Sequence, residues 1–308
     1  MISVVIPVKN GGDDLSRCLA GIALQAIDEP VEIVVVDSGS DDDSADRARA
    51  AGAVVHEISA SEFGHGRTRN LGVGLASGEL VVFTSQDAVA ADDAWLARLA
   101  AAARRSPDVA GAYGRQLPHP GARPPEVFFL DFMYGPTERT QRLSAGDELT
   151  YETTLFSNVN AAIPRAVLER FPFSDDLTMS EDQEWSRRAL RAGYALVYEP
   201  RAIVRHSHAY TIASAFRRFF DSGISAEHSY VEGDESKAAL RRAGSRYARE
   251  ELAWLWRTGR RRWIPYTVVY ELGKFAGLQL GLRHNRLPRS LVNRLSGLPP
   301  RSPDMPAE

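Results

Sequence analysis

The chain has a single cysteine, Cys18, among its 308 residues. One thiol excludes an internal disulfide and a zinc site built on thiolates, and it fits a reducing compartment. Cys18 falls among the apolar residues of a predicted helix, where it reads as a small core residue. Uninterrupted apolar runs of membrane-spanning length are also missing, because the best stretch, 263–282, carries Glu271 and Lys274. The first segment, Met1-Ile2-Ser3-Val4-Val5-Ile6-Pro7, lacks the basic start and cleavage site of a secretion signal and reads as a strand. The expectation is a cytoplasmic chain. G-x-G-x-x-G does not follow that strand, which argues against a dinucleotide fold. No internal repeat is found.

Neither sign of charge dominates, with 37 Lys and Arg against 40 Asp and Glu. The distribution is uneven, however. Asp37 to Asp46 is acidic, whereas Lys237 to Arg294 holds about fourteen cations and only Glu250, Glu251 and Glu271 as acids. An apolar fraction of 44% is enough for a globular core, in one large domain or a domain with an appendage.

Hydrophobic periodicity alternates between strand and helix over the first 115 or so residues. Strands are predicted at Ile2–Val8, Val31–Asp37, Ala53–Ile58, Leu80–Thr84 and Val109–Gly114. Helices are predicted at Asp14–Ala26, Ser44–Ala51, Arg67–Ala76 and Asp93–Arg105. Continuous runs such as Ile33-Val34-Val35-Val36 suit a parallel sheet covered on both faces, hence an α/β fold. From Leu117 to Thr150 the pattern breaks into Pro, Gly and polar residues around the aromatic patch 128–134, a long loop of the kind that is usually functional. Pattern resumes with Leu155–Ile163, helices near Arg165–Arg170 and Glu181–Ala192, and strands at Ala195–Tyr198 and Ala202–His206. Beyond Ile212 the chain reads helical up to a Pro-rich tail expected to be disordered.

Polar residues collect where the strands end. Strand one runs into Pro7-Val8-Lys9-Asn10-Gly11-Gly12, whose glycines allow a ligand close to the backbone. Strand two ends at Asp37-Ser38-Gly39-Ser40-Asp41. Asp37 either bonds ribose hydroxyls or a base N–H, or closes an Asx turn before the next helix. Arg67, Arg69 and Asn70 open a helix behind Gly66. Exposed N–H groups beside Arg suit a diphosphate, but cations there oppose the helix dipole unless an anion or carboxylate compensates them. The strand Leu80–Thr84 breaks into Ser85-Gln86-Asp87, and a carboxylate at a strand's carboxyl end either holds metal or substrate or serves as a turn residue.

Asn158 and Asn160 sit in an apolar strand, where buried amides need partners. Glu181 and Asp182 open a helix behind Ser180, read as its N-cap; acids in a first turn are ordinarily there for the dipole. His206 and His208 end a strand on one side of it, a spacing that with a carboxylate resembles a metal site but also occurs without one.

In order, these elements resemble glycosyltransferase family 2, the inverting enzymes of the GT-A fold. The matching pieces are Val4-Val5-Ile6-Pro7-Val8-Lys9-Asn10, Ile33 to Asp42, Arg69-Asn70-Leu71-Gly72 with Ala76-Ser77-Gly78, Asp87, Glu181-Asp182 and the histidine strand, together spanning about 1–210. Within the family, "EFGHGRTRN", "FTSQDA" and "HSHAYT" look closest to bacterial rhamnosyltransferases of surface-polysaccharide assembly.

The resemblance implies a GT-A catalytic domain over 1–210, with a nucleotide-sugar half to about 115 and an acceptor half from 116. A helical basic region over 211–295 and a tail from 296 to 308 would follow. Asp37 and Ser38 would meet the nucleotide base, Pro7, Val8 and Asn10 would wall its pocket, and Arg67, Arg69, Asn70 and Gln86 would border the donor. Asp87 matches the last Asp of the family's Asp-x-Asp motif, which holds Mg2+ or Mn2+ on the diphosphate. Ser85 replaces the first Asp, so the cation loses a carboxylate. His206 or His208 could supply a ligand instead, and imidazole suits Mn2+ better than Mg2+. Asp182 matches the catalytic base, and Glu181 beside it would raise its pKa by like-charge repulsion.

The Gln-x-x-Arg-Trp signature of processive members is absent, so one sugar per encounter is expected. The expected donor is dTDP-rhamnose, and the acceptor a bacterial glycan or glycolipid. UDP-hexose or UDP-galactofuranose donors, a nucleotidyltransferase, and a catalytically silent sugar-binding protein are the alternatives. Against the last two stand the short Lys9–Gly12 loop and the intact acid pair. Between Arg241 and Arg289, Trp and Arg alternate on predicted helices, which suits contact with an anionic membrane, or else a lid or dimer face. No recognition motif for nucleic acid accompanies the charge.

Overall fold

Apolar runs without a polar break become strands covered on both faces, and these set the order of the sheet. The computed structural model describes residues 1–144, 147, 149–231 and 233–298, so most of the expected tail, 299–308, lies outside the described residues. The first half runs β1 (Ile2–Val8), α1 (Gly12–Ala23), β2 (Val31–Asp37), α2 (Ser44–Ala50), β3 (Val54–Glu57), α3 (His65–Leu75), β4 (Leu80–Thr84), β5 (Val89–Ala90), α4 (Trp95–Ala103) and β6 (Val109–Leu117). It continues with α5 (Pro124–Met133), β7 (Arg139–Gln141), β8 (Asn160–Pro164), α6 (Arg165–Arg170), α7 (Glu181–Arg191) and β9 (Ala195–Arg205). The C-terminal helices are α8 (Ile212–Ser229), α9 (Gly233–Arg257), α10 (Ile264–Gly281) and α11 (Arg289–Leu295).

Along the sheet the strands stand β3-β2-β1-β4-β8-β6-β9-β5, with β7 on β9. The first four are parallel, as the Val/Ile runs predict, but the sheet as a whole is mixed: β8 inserts antiparallel between β4 and β6. One core lies on each face, around Trp95 and Leu99 on one side and around Phe83, Tyr113 and Trp185 on the other. Cys18 is a core residue, and burial pushes its thiol up to about 12. The register brings chemistry together: Val8 stands opposite Asp37, and Thr84 opposite Asn160.

Three expectations change. The loop expected over Leu117–Thr150 contains helix α5, because Pro124 and Pro125 stand at its start, where proline's missing N–H costs nothing. The two strands expected at Ala195–Tyr198 and Ala202–His206 are one strand, β9, with a bulge against β6 that accommodates Pro200. Ser180 is no side-chain cap: it lies in the left-handed region at φ 63° and makes no capping hydrogen bond.

The C-terminal helices pack as a pair, α8 against α10. Gly277 and Gly281 allow the approach, since a methyl group there would lie 2.3 Å from the Phe216 carbonyl oxygen and 2.1 Å from that of Phe220. Below them Tyr247 and Trp254 of α9 pack on Phe128 of α5. No described helix is long and apolar enough to cross a membrane.

Candidate active site

The loops after β1, β2 and β4 form one rim. Asp37 is buried, and its Oδ1 accepts from the backbone N–H groups of Gly39 (3.0 Å) and Ser40 (2.8 Å), which closes an Asx turn. Its Oδ2 and the Ser38 hydroxyl are buried with no partner among the described residues. A buried carboxylate oxygen without a partner is costly and calls for a hydrogen-bond donor from water or from a bound molecule. The Asx-turn reading of Asp37 holds for Oδ1, while Oδ2 has no described partner. Asn10 has φ 49° and accepts at Oδ1 from Asp41 N–H at 2.8 Å, tying the β1 loop to the β2 loop. Gln86 accepts from Lys9 N–H (2.8 Å) and donates to Lys9 C=O (3.0 Å), so its side chain clips that loop to β4.

Asp87 meets both histidines. His206 Nε2 lies 3.6 Å from Asp87 Oδ1, and His208 Nδ1 lies 3.5 Å from Asp87 Oδ2. One ligand atom from each of the three residues falls within 4.8 Å of the others. Gln116 donates through Nε2 to Ser157 Oγ at 3.0 Å, which leaves its Oε1 to accept from His206 Nδ1–H at 2.9 Å. That bond fixes the tautomer and turns the lone pair of Nε2 toward Asp87. A lone pair facing a carboxylate oxygen has no favourable contact unless a proton or a cation lies between them. Burial pushes the pKa of His206 down to about 4. Two imidazoles and a carboxylate are a donor set for a divalent ion such as Mn2+, and the residues fit it.

The acid pair stands at the start of α7. Arg69 Nη1 lies 2.9 Å from Glu181 Oε1, both side chains being buried, and Asn158 Nδ2 donates to the same oxygen at 3.2 Å. Burial works against the Glu181 charge, but Arg69 and His65 outweigh it and hold its pKa below the ordinary value. Asp182, partly buried, accepts from the backbone N–H groups of Asn158 (3.3 Å) and Gln183 (2.9 Å). Burial first, and the Glu181 charge second, push it up to about 7. Ser180, the strained residue before the pair, is held from α8: Ser229 donates to its carbonyl at 3.2 Å, and Ser225 accepts from Met179 N–H at 3.1 Å. Strained backbone at Asn10 and Ser180 flanks the site on two sides.

The order of the sheet places these groups along one edge, with Asp37 and Asn10 at one side, Asp87 and the acid pair centrally and the histidines beyond. A model of "Glycosyl transferase family 2" matches residues 3–171. The chain belongs to glycosyltransferase family 2. It is 32% identical to the O-antigen chain rhamnosyltransferase RfbN of Salmonella typhimurium over 299 residues, 96% of this chain and 94% of that one. To the O-antigen chain rhamnosyltransferase WbaN of Salmonella anatum it is 31% identical over 297 residues, covering 96% and 93%. Among solved structures, mannosyltransferase PcManGT of Pyrobaculum calidifontis, in complex with GDP-Man and Mn2+, aligns with a TM-score of 0.61. The identity is 18%, over 91% of this chain and 86% of that one. TarS 1-349 of S. aureus, in complex with UDP-GlcNAc, aligns at 0.53 with 18% identity, covering 96% and 83%. The fold is GT-A, and the family 2 chain is a glycosyltransferase.

Within this enzyme the residues picked out by sequence fall into two groups. Asp37 and Ser38 carry buried polar atoms with no partner among the described residues, Asp87, His206 and His208 face one another, and Asp182 is held by two backbone N–H groups. Pro7 and Val8 are backbone beside Asp37. Others are spent on the protein itself: Arg69 on Glu181, Gln86 on Lys9, and Asn70 on Phe173 and Asp175, to which its Nδ2 donates at 2.8 and 3.0 Å. Asn160 accepts from Trp95 Nε1 at 2.8 Å and is structural. Arg67 stands on the first turn of α3, partly buried. Sequence reading missed Gln116, an ordinary residue of a strand, and Arg218 on α8. Arg218 is exposed and makes no ion pair with a described residue, yet its charge reaches His65, His206 and His208. Only the helix period could have placed it one turn before Ser222 and two before Ser225, on the face toward the acid pair.

Proposed function

We propose that this glycosyltransferase inverts configuration, adds one sugar per encounter, and moves L-rhamnose from dTDP-rhamnose to a hydroxyl of a bacterial surface glycan at the cytoplasmic face of the membrane. End-to-end likeness to two chains named as O-antigen rhamnosyltransferases supports the donor and the acceptor class. The observation that carries the mechanism is Asp182, a carboxylate raised to about 7 with one acid behind it and a buried cation behind that. A base poised near neutral pH accepts a proton as the acceptor oxygen attacks.

In the reaction, the acceptor O–C1 bond forms while the C1–O bond to the diphosphate breaks. The hydroxyl proton passes to a carboxylate oxygen of Asp182, and the leaving electron pair stays on the diphosphate. Asp37 Oδ2 and Ser38 Oγ receive base N–H or ribose O–H groups, which satisfies both orphaned atoms. Arg218 faces the negative charge that grows on the leaving group. A divalent ion held by Asp87, His206 and His208 would neutralise the diphosphate when bound. Glu181 takes no proton; it keeps Arg69 in place and Asp182 basic.

The test is transfer from dTDP-rhamnose beside UDP-hexoses and UDP-galactofuranose, with Mn2+ or Mg2+, and assignment of the product's anomeric centre by NMR. The expected product has configuration opposite to the donor's and is made from dTDP-rhamnose. Retained configuration would refute the single displacement, and turnover from a UDP-sugar alone would refute the donor.

A further inference from the structure

Three serines of α8, Ser222, Ser225 and Ser229, stand at helical spacing on one face and meet the chain just before the acid pair. Ser225 Oγ accepts from Met179 N–H at 3.1 Å, Ser222 Oγ donates to Met179 Sδ at 3.3 Å, and Ser229 Oγ donates to the Ser180 carbonyl at 3.2 Å. We propose that Ser225 and Ser229 are positioning residues for sugar transfer: they hold Ser180 in its left-handed conformation, and that turn places Asp182. The role rests on the reading of Asp182 as the base.

Three observations support it. The first is backbone strain. Ser180 has φ 63° and ψ 30°, where its Cβ crowds the following carbonyl oxygen. Glycine occupies that region freely, whereas serine does so at a cost of about tenfold in population and needs outside contacts to stay there. The Ser180 carbonyl takes the first bond of α7, from Glu184 N–H at 3.0 Å, and the bond from Ser229 as well. It is shared by the helix it opens and the helix that holds it.

The second is burial. Ser225 and Ser229 are 1% and 0% exposed, and a hydroxyl is costly to bury without a partner. Ser229 Oγ also lies 2.9 Å from the Ser225 carbonyl, so its one proton is divided between its own helix and Ser180. The bond from Met179 N–H to Ser225 runs wholly between elements, and losing it would strand a buried N–H.

The third is leverage. Asp182 follows two residues after Ser180, and its carboxylate reaches Asn158 N–H only at 3.3 Å, a bond with little length to spare. A relaxed φ at Ser180 would swing the first turn of α7 away from Asn158 and admit water to Asp182. The holding helix is itself fixed from behind. A methyl group on Gly223 would lie 2.6 Å from the Leu278 carbonyl oxygen, so α8 is seated tightly on α10 beside the serines. Arg187 of α7 adds a bond to the His228 carbonyl at 2.8 Å. The C-terminal helices thereby serve the transfer site directly.

The test is carboxyl-carbon NMR of labelled aspartate in the intact protein, with the Asp182 signal assigned by its loss in Asp182→Asn. Ser225→Ala, Ser229→Ala and the two together are compared with wild type, and again in a Ser180→Gly background. Release of dTDP from dTDP-rhamnose, with water as acceptor, gives the rate. Facing Asp182 are Glu181, Arg69, Tyr134 and Tyr151, none of which is changed. In the wild type Asp182 should titrate at about 7, and in the double Ala variant toward the ordinary carboxylate range. The rate should fall about tenfold, with the donor KM near that of wild type. Each single variant should move the titration part of the way, so the comparison survives a double variant that does not fold. With glycine at 180 the left-handed turn needs no holding, and the same substitutions should leave titration and rate near those of Ser180→Gly alone. An unmoved Asp182 titration would overturn the role, whatever happens to the melting temperature, and so would an equal shift in the glycine background. Full dTDP release by Asp182→Asn would instead remove Asp182 as the base, a failure that the titration of the serine variants does not mimic.

Discussion

Arg69 and Glu181 form a buried ion pair, 2.9 Å between Nη1 and Oε1, that ties the second turn of α3 to the first turn of α7. Two charges whose helix positions look independent in the sequence explain each other: Arg69 sits against its own helix dipole because a carboxylate from elsewhere compensates it. Arg69 Nε remains without a partner, so the pair is held by one face of the guanidinium. Removing one member of such a pair strands the other charge in a dry environment. Arg69→Met is expected to cost about 3–5 kcal/mol in urea unfolding. Arg69→Met with Glu181→Leu should recover a large part of that loss, since no charge is then left unpaired. An equal loss in the double variant would mean that the pair stabilises for reasons other than mutual compensation.

The neighbouring Asp182 makes activity and stability run in opposite directions with pH. Its pKa is about 7 in the fold against an ordinary value of 3.8. Between those values the folded protein holds a proton that the unfolded chain has released, so this group's contribution to stability is lost as pH rises from about 4 to 7. As the proposed base, Asp182 works only when ionised, so kcat/KM should climb over the same range with an acid limb near 7. Charged and titratable groups facing it are Glu181 and Arg69, with Tyr134 and Tyr151, which burial keeps protonated. Asp182→Asn should lower kcat by about 10²–10⁴. It should raise the melting temperature at pH 8 and leave it near wild type at pH 4. A melting difference independent of pH would remove Asp182 as the titrating group.

Much of this was legible because a parallel sheet buried on both faces writes itself as unbroken Val and Ile, and strand ends then mark the site. β1, β2 and β4 have the bounds the sequence pattern predicts, Ile2–Val8, Val31–Asp37 and Leu80–Thr84. Helix α5 was not legible, because Pro and Gly read as loop when they in fact open a helix covered by α9. Nor was the role of Arg69, since a cation at a helix start looks the same whether it awaits a phosphate or faces a carboxylate 112 positions on. Gln116 was invisible for a different reason. A neutral amide acquires meaning only when the fold brings His206 to it across two strands.

Gln116 yields a prediction about metal affinity. It touches His206 through Nδ1 and none of the open ligand atoms, so it acts by fixing the ring. Gln116→Leu should weaken Mn2+ binding about 10–100-fold, read by calorimetry or by electron paramagnetic resonance of free Mn2+. Asp87→Ala and His206→Ala should abolish it. Full transfer activity of the wild type after exhaustive chelation would show that the three residues serve another purpose.

The proposed nucleotide role of Asp37 can be tested apart from the chemistry. Asp37→Asn keeps an oxygen for the Asx turn to Gly39 and Ser40 but puts an NH2 where Oδ2 now lies open. A group that donates cannot accept a base N–H or a ribose O–H. Loss of a charge-assisted bond predicts a dTDP affinity lower by about 10–100-fold, with kcat at saturating donor close to wild type. Unchanged nucleotide affinity would assign the orphaned oxygen to something other than the donor.

The outer face of α10 lets the proposed membrane contact be tested. Val268, Val269, Leu272 and Phe275 are exposed, Leu272 by 62% and Phe275 by 51%, while Tyr270, Lys274 and Gly277 face inward. At the start of this helix stand Arg260, Arg261 and Arg262, with Arg261 over the exposed Trp256 ring at 3.8 Å. An apolar stripe bordered by arginine and tryptophan matches the interface of an anionic bilayer, where aliphatic side chains enter the acyl boundary and cations meet the headgroups. The wild type should co-sediment with phosphatidylglycerol vesicles at low salt and much less with phosphatidylcholine. Leu272→Glu with Phe275→Glu should abolish binding at any salt without lowering the melting temperature, because both side chains already face solvent. Replacing Arg260, Arg261 and Arg262 by Ala should remove about 1 kcal/mol per cation and flatten the salt dependence. Equal sedimentation of the double Glu variant would show that the stripe covers another protein surface rather than lipid.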